Sequence, residues 1–195
     1  MSKVLIIYAT GEGQTEKIAR HIAATLDAAG HPTELFDTDR PGSPLDLGGF
    51  DVVVVGAPIH AGGYPRSLVR FAREHRLLLE AARAVFFSVG LAVQSRTSDG
   101  RAQTLEIVEG FAERTGWRPE RVELFAGALQ YSKYNFLIRF IMRRIVAKEG
   151  GDVDTSRDYE YTDWRAVERF AHGLVAVGAA ERKTGGPSRH TLPGA

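Results

Sequence analysis

Apolar positions along the chain fall into two kinds of run. Residues 4–8 ("VLIIY"), 52–55 and 85–89 are short and unbroken, as in strands buried on both faces. Residues 122–129 make a fourth strong strand, and 33–36 a weaker one. Between these runs the apolar residues recur at helical spacing. Ile18, Ile22, Ala23, Leu26 and Ala29 share one face of a helix expected over 14–29, with Gly30 as its stop. Pro65 opens a helix expected to continue to Ala82. Further helices are expected over 102–115 and 163–177, and residues 40–49 form a loop rich in Pro and Gly.

Strand and helix alternate, which predicts a parallel sheet with helices on both faces. Five strands fit a doubly wound α/β fold, whose ligands lie at the carboxyl ends of the strands. One segment breaks the rhythm. Residues 130–162 separate the last strand from the last helix, far longer than an ordinary connection, and such long loops are commonly functional. The expected domain is 1–178. Residues 179–195, rich in Gly, Pro, Ser and charge, read as a disordered tail.

Composition narrows the function classes. A chain of 195 residues fits one domain with a proper core. A net charge of +1 gives no electrostatic case for nucleic-acid binding. The chain has no cysteine, which excludes disulfides, thiolate nucleophiles, iron–sulfur clusters and Cys-type zinc sites. That suits a cytoplasmic protein. Met1 leads directly into a strand, so no signal peptide is expected. No apolar run approaches the ~20 residues of a membrane span.

The candidate chemistry starts at "YATGEGQTEKIA", residues 8–19, where a buried strand turns into a helix. A triphosphate loop needs Lys after its last glycine, but Gln14 follows Gly13. A dinucleotide turn needs a third glycine, where Glu16 stands; Asp37 and Asp39 remain possible ribose acids. A third reading is a monophosphate nest. Backbone N–H groups and the helix dipole supply the positive field, and Thr10, Thr15 and the Gln14 amide add donors. Glu12 and Glu16 must then point to solvent. An ordinary strand-to-helix turn also favours Gly and Thr, so the loop alone leaves both readings open.

The wider sequence resembles a known family. Thr10 to Thr15, a T-x-x-G-Q-T pattern, looks like the phosphate loop of flavodoxin-like FMN proteins. The series "VVVVGAPIHAGGY" (52–64), "FFSVGLA" (86–92), "WRPERVELFAGALQY" (117–131), "GGDVDT" (150–155) and "YTDW" (161–164) is similar to the menaquinone-dependent protoporphyrinogen IX dehydrogenase (protoporphyrinogen oxidase) family. The resemblance covers about residues 3–177. It implies a flavodoxin-like doubly wound five-stranded parallel sheet with FMN as cofactor. Thr10, Gly11, Glu12, Gly13, Gln14 and Thr15 would hold its phosphate. Ala57, Pro58, Ile59 and His60 would form one wall of the ring site, and Ser88, Val89, Gly90, Leu91 and Ala92 the other. The implied activity is oxidation of protoporphyrinogen IX to protoporphyrin IX in haem biosynthesis, with a membrane quinone as acceptor. The implied location is cytoplasmic, peripheral on the cytoplasmic face of the inner membrane. Two positions depart from the family pattern: Gly90 stands where Asn is expected, and His60 where Arg is expected.

In physical terms His60 is a candidate proton acceptor, with plain solvation as the alternative. Tyr64 either stacks on the ring or packs. In the insertion, Asn135 can cap a helix that runs to Lys148 and stops at Gly150. Leu137, Ile138, Ile141, Met142, Ile145 and Val146 would share a broad apolar face. Phe136, Arg139, Phe140, Arg143 and Arg144 lie mostly opposite, and no acid occurs from 131 to 148. Three readings stand: the apolar face packs on the domain, the helix lies on an anionic membrane surface, or the arginines pair with substrate carboxylates. Arg96 and Arg101 are further anion candidates. Other functions also stay open: a flavodoxin-type electron carrier, an NAD(P)H-quinone reductase, and a cofactor-free binding module. The near-zero charge argues against the strongly acidic face usual in a carrier.

Overall fold

The computed structural model describes residues 1–40, 45–94, 99–129 and 157–184. The elements are β1 (Val4–Tyr8), α1 (Gln14–Ala28), β2 (Thr33–Asp37), β3 (Val52–Pro58), α2 (Arg66–Glu74), α3 (Arg76–Ala81), β4 (Val85–Gly90), α4 (Asp99–Thr115), β5 (Val122–Ala126), β6 (Ala128–Leu129), β7 (Tyr159–Glu160) and α5 (Trp164–Thr184). Strands β1 to β5 form one sheet in the order β2-β1-β3-β4-β5, and every pair is parallel. The expected fold class is therefore the observed one.

Strand alternation explains the two-layer core. Leu5, Ile7, Val53, Val55 and Phe86 point to one face, where Leu68, Phe71, Phe111 and Trp117 cover them. Val4, Ile6, Val54, Phe87 and Val89 point to the other, under Ile18, Ile22, Leu26, Val167 and Phe170. Both faces of a strand are buried only when helices flank both sides, which is why the runs read as unbroken apolar stretches. From β1 the chain crosses to β2 on one side, then to β3 on the other. The loops leaving β1 and β3 consequently diverge and open a crevice at their carboxyl ends.

The structure corrects several boundaries. The helix expected over 65–82 is two helices, broken at His75. The His75 ring stacks on Phe71 at 4.3 Å, and its Nδ1 lies 3.0 Å from the Phe71 carbonyl oxygen that also accepts the His75 N–H. The run 122–129 is also two elements. At Gly127 the chain leaves the main sheet, and β6 pairs antiparallel with β7, a strand too short for periodicity to announce. The closing helix runs Trp164–Thr184, past its expected end at 177. Residues 185–195 lie outside the described residues. So do 130–156, which include the expected helix over 135–148 with Phe136, Arg139, Phe140, Arg143 and Arg144, and so does Arg96.

Candidate functional site

The loop after β1 is built around the open start of α1. Gly13 is the N-cap residue, at φ 99° and ψ −8°, a conformation that favours glycine and leaves the helix without a capping side chain. The first intrahelical bond is Lys17 N–H to the Gly13 carbonyl, at 3.0 Å. The N–H groups of Gln14, Thr15 and Glu16 precede it and have no acceptor within the helix. Thr10 shapes the bend, because its Oγ1 accepts the Gly13 N–H at 3.1 Å. Its own N–H donates to Asp39 at 3.4 Å, and Asp37 accepts the Asp39 N–H. The two acids proposed for a ribose thus brace the loop from behind, and neither lines the cavity.

Thr15 carries a clear ligand signal. Its side chain is 1% exposed, and Oγ1 has no hydrogen-bond partner among the described residues. A buried hydroxyl in that state costs roughly 1–3 kcal/mol, so its retention points to an acceptor supplied from outside the chain. Glu16 turns away to pair with Arg20 one helical turn on, at 2.8 Å. Among the described residues no Lys or Arg lines the cavity, while Glu12 does.

Gln14 differs from expectation. Its Nε2 donates to Thr162 Oγ1 at 2.9 Å and to Glu160 Oε1 at 3.1 Å. Both amide hydrogens are committed to residues near the start of α5, so only its backbone N–H faces the nest.

The second wall leaves β3. Residues 60–63 close a tight turn: His60 and Gly63 exchange backbone bonds of 2.8 and 3.0 Å, and Ala61 and Gly62 take φ 46° and 76°. Positive φ at both central positions is the hairpin turn that matches strand twist. The turn holds His60 against Gly11. Its imidazole is exposed at the mouth of the cavity.

The third wall comes from β4 and the strand break. Gly90 ends β4, and a Cβ there would stand 3.4 Å from Ile59 Cδ1, in ordinary van der Waals contact, so Ile59 flanks this position. Gly127 N–H bonds the Gly90 carbonyl at 3.3 Å and brings Ala128 to the rim. The resulting cavity has a volume of about 420 Å³, within the ~300–1,000 Å³ of small-molecule sites. One end carries the open helix start and the Thr15 hydroxyl; Pro58, Ile59, Val89, Gly90 and Leu91 make the rest mostly apolar. That donor set fits a flat, apolar ring system ending in a phosphate ester, as FMN requires.

Of the expected cofactor residues, Thr10, Gly11, Glu12, Gln14, Thr15, Pro58, Ile59, His60, Val89, Gly90 and Leu91 line the cavity. Gly13, Ala57, Ser88 and Ala92 do not. Gly13 sets the helix start, and Ala57 and Ser88 are fully buried strand positions. Ser88 Oγ accepts the Tyr64 hydroxyl at 2.8 Å. Tyr64 meets Phe86 and Phe111 edge-on, and burial pushes its phenol up to about 12. It packs in the core and does not stack at the cavity. Arg101 is exposed on α4. Ala61 also lines it, while Gly127 and Ala128 are lining residues that the sequence does not announce. Gly62 beside Ala61 was a turn signal, but the two wall residues after β5 depend on a long-range strand pairing.

The flavodoxin domain model matches residues 5–156. The chain is 34% identical over 173 residues to protoporphyrinogen IX dehydrogenase [quinone] of Escherichia coli (strain K12), covering 89% of this chain and 94% of that protein. It is 32% identical over 176 residues to the protein of the same name from Leishmania major, covering 90% and 75%. Among solved structures, a short-chain flavodoxin associated with a PDU bacterial microcompartment aligns with TM-score 0.52 at 15% identity, over 91% of this chain and 99% of that one. The flavodoxin, WrbA-like protein from Agrobacterium tumefaciens aligns with TM-score 0.52 at 13% identity, over 92% and 99%. The structural likenesses show the fold; the sequence matches show the family, and this chain belongs to the flavodoxin domain family, alongside the quinone-linked protoporphyrinogen IX dehydrogenases.

Proposed function

We propose that the protein is an FMN-dependent oxidoreductase that oxidises protoporphyrinogen IX to protoporphyrin IX with a membrane quinone as electron acceptor. The observation that carries the cofactor is the buried, unpartnered Thr15 hydroxyl beside an uncapped helix start, at one end of a mostly apolar cavity. The substrate and acceptor follow from the two named relatives.

The division of labour is simple. FMN, when bound, supplies two-electron chemistry between reduced substrate and quinone. The chain supplies position and field. The N–H groups of Gln14 and Thr15, with the Thr15 hydroxyl, would hold the phosphate dianion by dipoles. Pro58, Ile59, Val89 and Leu91 exclude water from the ring. Tight backbone at Gly90 and Gly127 lets the walls approach closely. In this reading His60, exposed at the mouth, would take a proton lost by the substrate.

Among the described residues no helix is long and apolar enough to cross a membrane. In this reading the basic sequence 131–148 meets an anionic membrane surface, which would bring the site near a lipid-dissolved quinone. Co-sedimentation with anionic but not neutral vesicles is the expected result.

The decisive experiment is an absorbance spectrum of the purified protein, then anaerobic addition of protoporphyrinogen IX and a quinone. Yellow protein that forms porphyrin only when quinone is present supports the reading. FMN-loaded protein that shows no turnover with any quinone removes the substrate assignment. Protein that takes up no FMN removes the cofactor.

A further inference from the structure

We propose that Gln14 and Thr162 form a latch that couples two walls of the ligand cavity, so that occupation of the helix start and seating of the β6–β7 wall support each other. Here Gln14 and Thr162 are positioning residues, and the inference rests on the cavity's being the FMN site.

The observations form one continuous chain of contacts. Gln14 is the first residue of α1, and its backbone N–H belongs to the open helix start. Its side chain reaches across to the strand that returns from the insertion. Thr162 Oγ1 donates to the Ala126 carbonyl at 2.7 Å, so toward Gln14 it acts as an acceptor. The Glu160 carboxylate only accepts. With two acceptors facing it, the amide group of Gln14 has one orientation. Glu160 is gripped a second time from α1: Lys17 Nζ lies 2.9 and 2.7 Å from its two oxygens. Two side chains one turn apart on α1 therefore fasten the same two-residue strand. From Thr162 the path continues through Ala126 to Gly127. Gly127 accepts the Tyr161 N–H at 3.1 Å and donates to Gly90 at 3.3 Å. Gly127 and Ala128 then line the cavity.

Neither Thr162 nor Glu160 lines the cavity. A merely structural role would still explain one bond; it does not explain why the residue that opens α1, inside the candidate phosphate loop, directs its whole amide at the β6–β7 wall. A ligand that fixes the first turn of α1 fixes Gln14, and thereby the register of β7 against β6. By linkage, a correctly seated wall raises the affinity of the helix start for its anion by the same factor. Gln14 and Thr162 are both largely buried, at 8% exposure each, so their bond is shielded from water and sensitive to deletion.

The test uses the full chain with FMN as probe. The dissociation constant is measured for the wild type, Thr162→Val, Gln14→Met and the double variant. Hydrogen exchange of the peptide holding the Tyr161 N–H is followed with and without FMN. Each single variant is expected to weaken FMN about 5- to 30-fold, with the double variant little worse than either single one. FMN is expected to slow exchange of that peptide about tenfold in the wild type and hardly at all in saturated Thr162→Val protein. Phe111→Leu, in the opposite core layer, supplies a control with a matched loss of melting temperature and an unchanged FMN constant. If Thr162→Val binds FMN as the wild type does, with the same slowing of exchange, the latch is refuted while the cavity assignment stands. Additive losses in the double variant also refute it. If the wild type binds no FMN, the cavity assignment fails and the latch falls with it.

Discussion

The His60 ring rests on Gly11: a Cβ built at position 11 would lie 2.7 Å from His60 Nε2. Two loops from different strands, β1 and β3, thus close on each other at the cavity mouth only because residue 11 has no side chain. Gly11→Ala should move the exposed imidazole without disturbing the core. The expected stability change is within about 0.5 kcal/mol, as for most surface substitutions. FMN affinity should fall clearly, because the displaced ring reopens the mouth. Thermal melts and fluorescence titration of FMN check the two halves separately. A large drop in melting temperature would show that the contact is structural.

Gly56 presents the opposite case. A Cβ there would lie 2.0 Å from Phe87 Cζ, and the Phe87 ring is fully buried between Phe125 and Phe170. That ring has nowhere to go. Gly56→Ala is expected to cost about 3 kcal/mol or more, at the upper end of overpacking penalties. At roughly 2–4 °C per kcal/mol for a chain of this size, the melting temperature should fall by several degrees. Adding Phe87→Leu should recover part of the loss, since it removes the obstructing atoms.

These two glycines also show what a sequence discloses. The pattern around Gly11 announced a special turn, because Gly, Thr and an incipient helix occur together. Gly56 sat inside an apolar run and announced nothing; only the packing of β4 on β3 reveals it. The same division holds more widely. Doubly buried strands and amphipathic helices follow from local spacing, so the five-stranded parallel sheet is legible once alternation is seen, whereas its strand order comes from the structure. The break at His75 was not, because it depends on a ring contact with Phe71. Nor was the wall at Gly127 and Ala128, which exists through pairing with a strand more than thirty residues later. The Gln14 amide was misassigned for the same reason: its partners are Glu160 and Thr162.

Tyr64 tests whether a core aromatic was rightly removed from the site. Its hydroxyl donates to Ser88, and burial raises its phenol to about 12. A raised folded value means that the associated stability is fully present below the unfolded value near 10 and is lost as pH rises toward 12. The shift corresponds to on the order of 2–3 kcal/mol. Denaturant melts from pH 9 to 12 should show this loss in the wild type and a smaller one in Tyr64→Phe. At neutral pH the variant should lose about 1 kcal/mol, from one hydrogen bond. Its FMN affinity should be unchanged; a tenfold loss would return Tyr64 to the cavity.

Glu160 makes the complementary prediction at acid pH. Partial burial pushes its carboxyl up, but hydrogen bonds from Lys17 and Gln14 and the Lys17 charge outweigh it and hold it below the usual carboxylate range. A depressed folded value contributes stability above the unfolded value, near 4.5, that disappears as pH falls through the folded one. The Lys17 ammonium is exposed, so the contribution is small after solvent screening. The stability difference between wild type and Glu160→Gln should therefore be a few tenths of a kcal/mol to about 1 kcal/mol at pH 7, and should vanish in acid once pH lies below the depressed folded value. Paired urea melts at the two pH values measure it.

Thr15→Val separates ligand binding from folding most sharply. In the free protein the valine methyl replaces a buried hydroxyl that has no partner, so the variant should be as stable as the wild type or more stable by about 1 kcal/mol. In the complex the same change removes a donor to a dianion. A hydrogen bond to a charged group is worth about 1.5–3 kcal/mol, so FMN should bind roughly 10- to 100-fold more weakly. Riboflavin has the ring without the phosphate, and its affinity should not change. Equal losses for FMN and riboflavin would mean that Thr15 supports the ring end, and that the phosphate lies elsewhere.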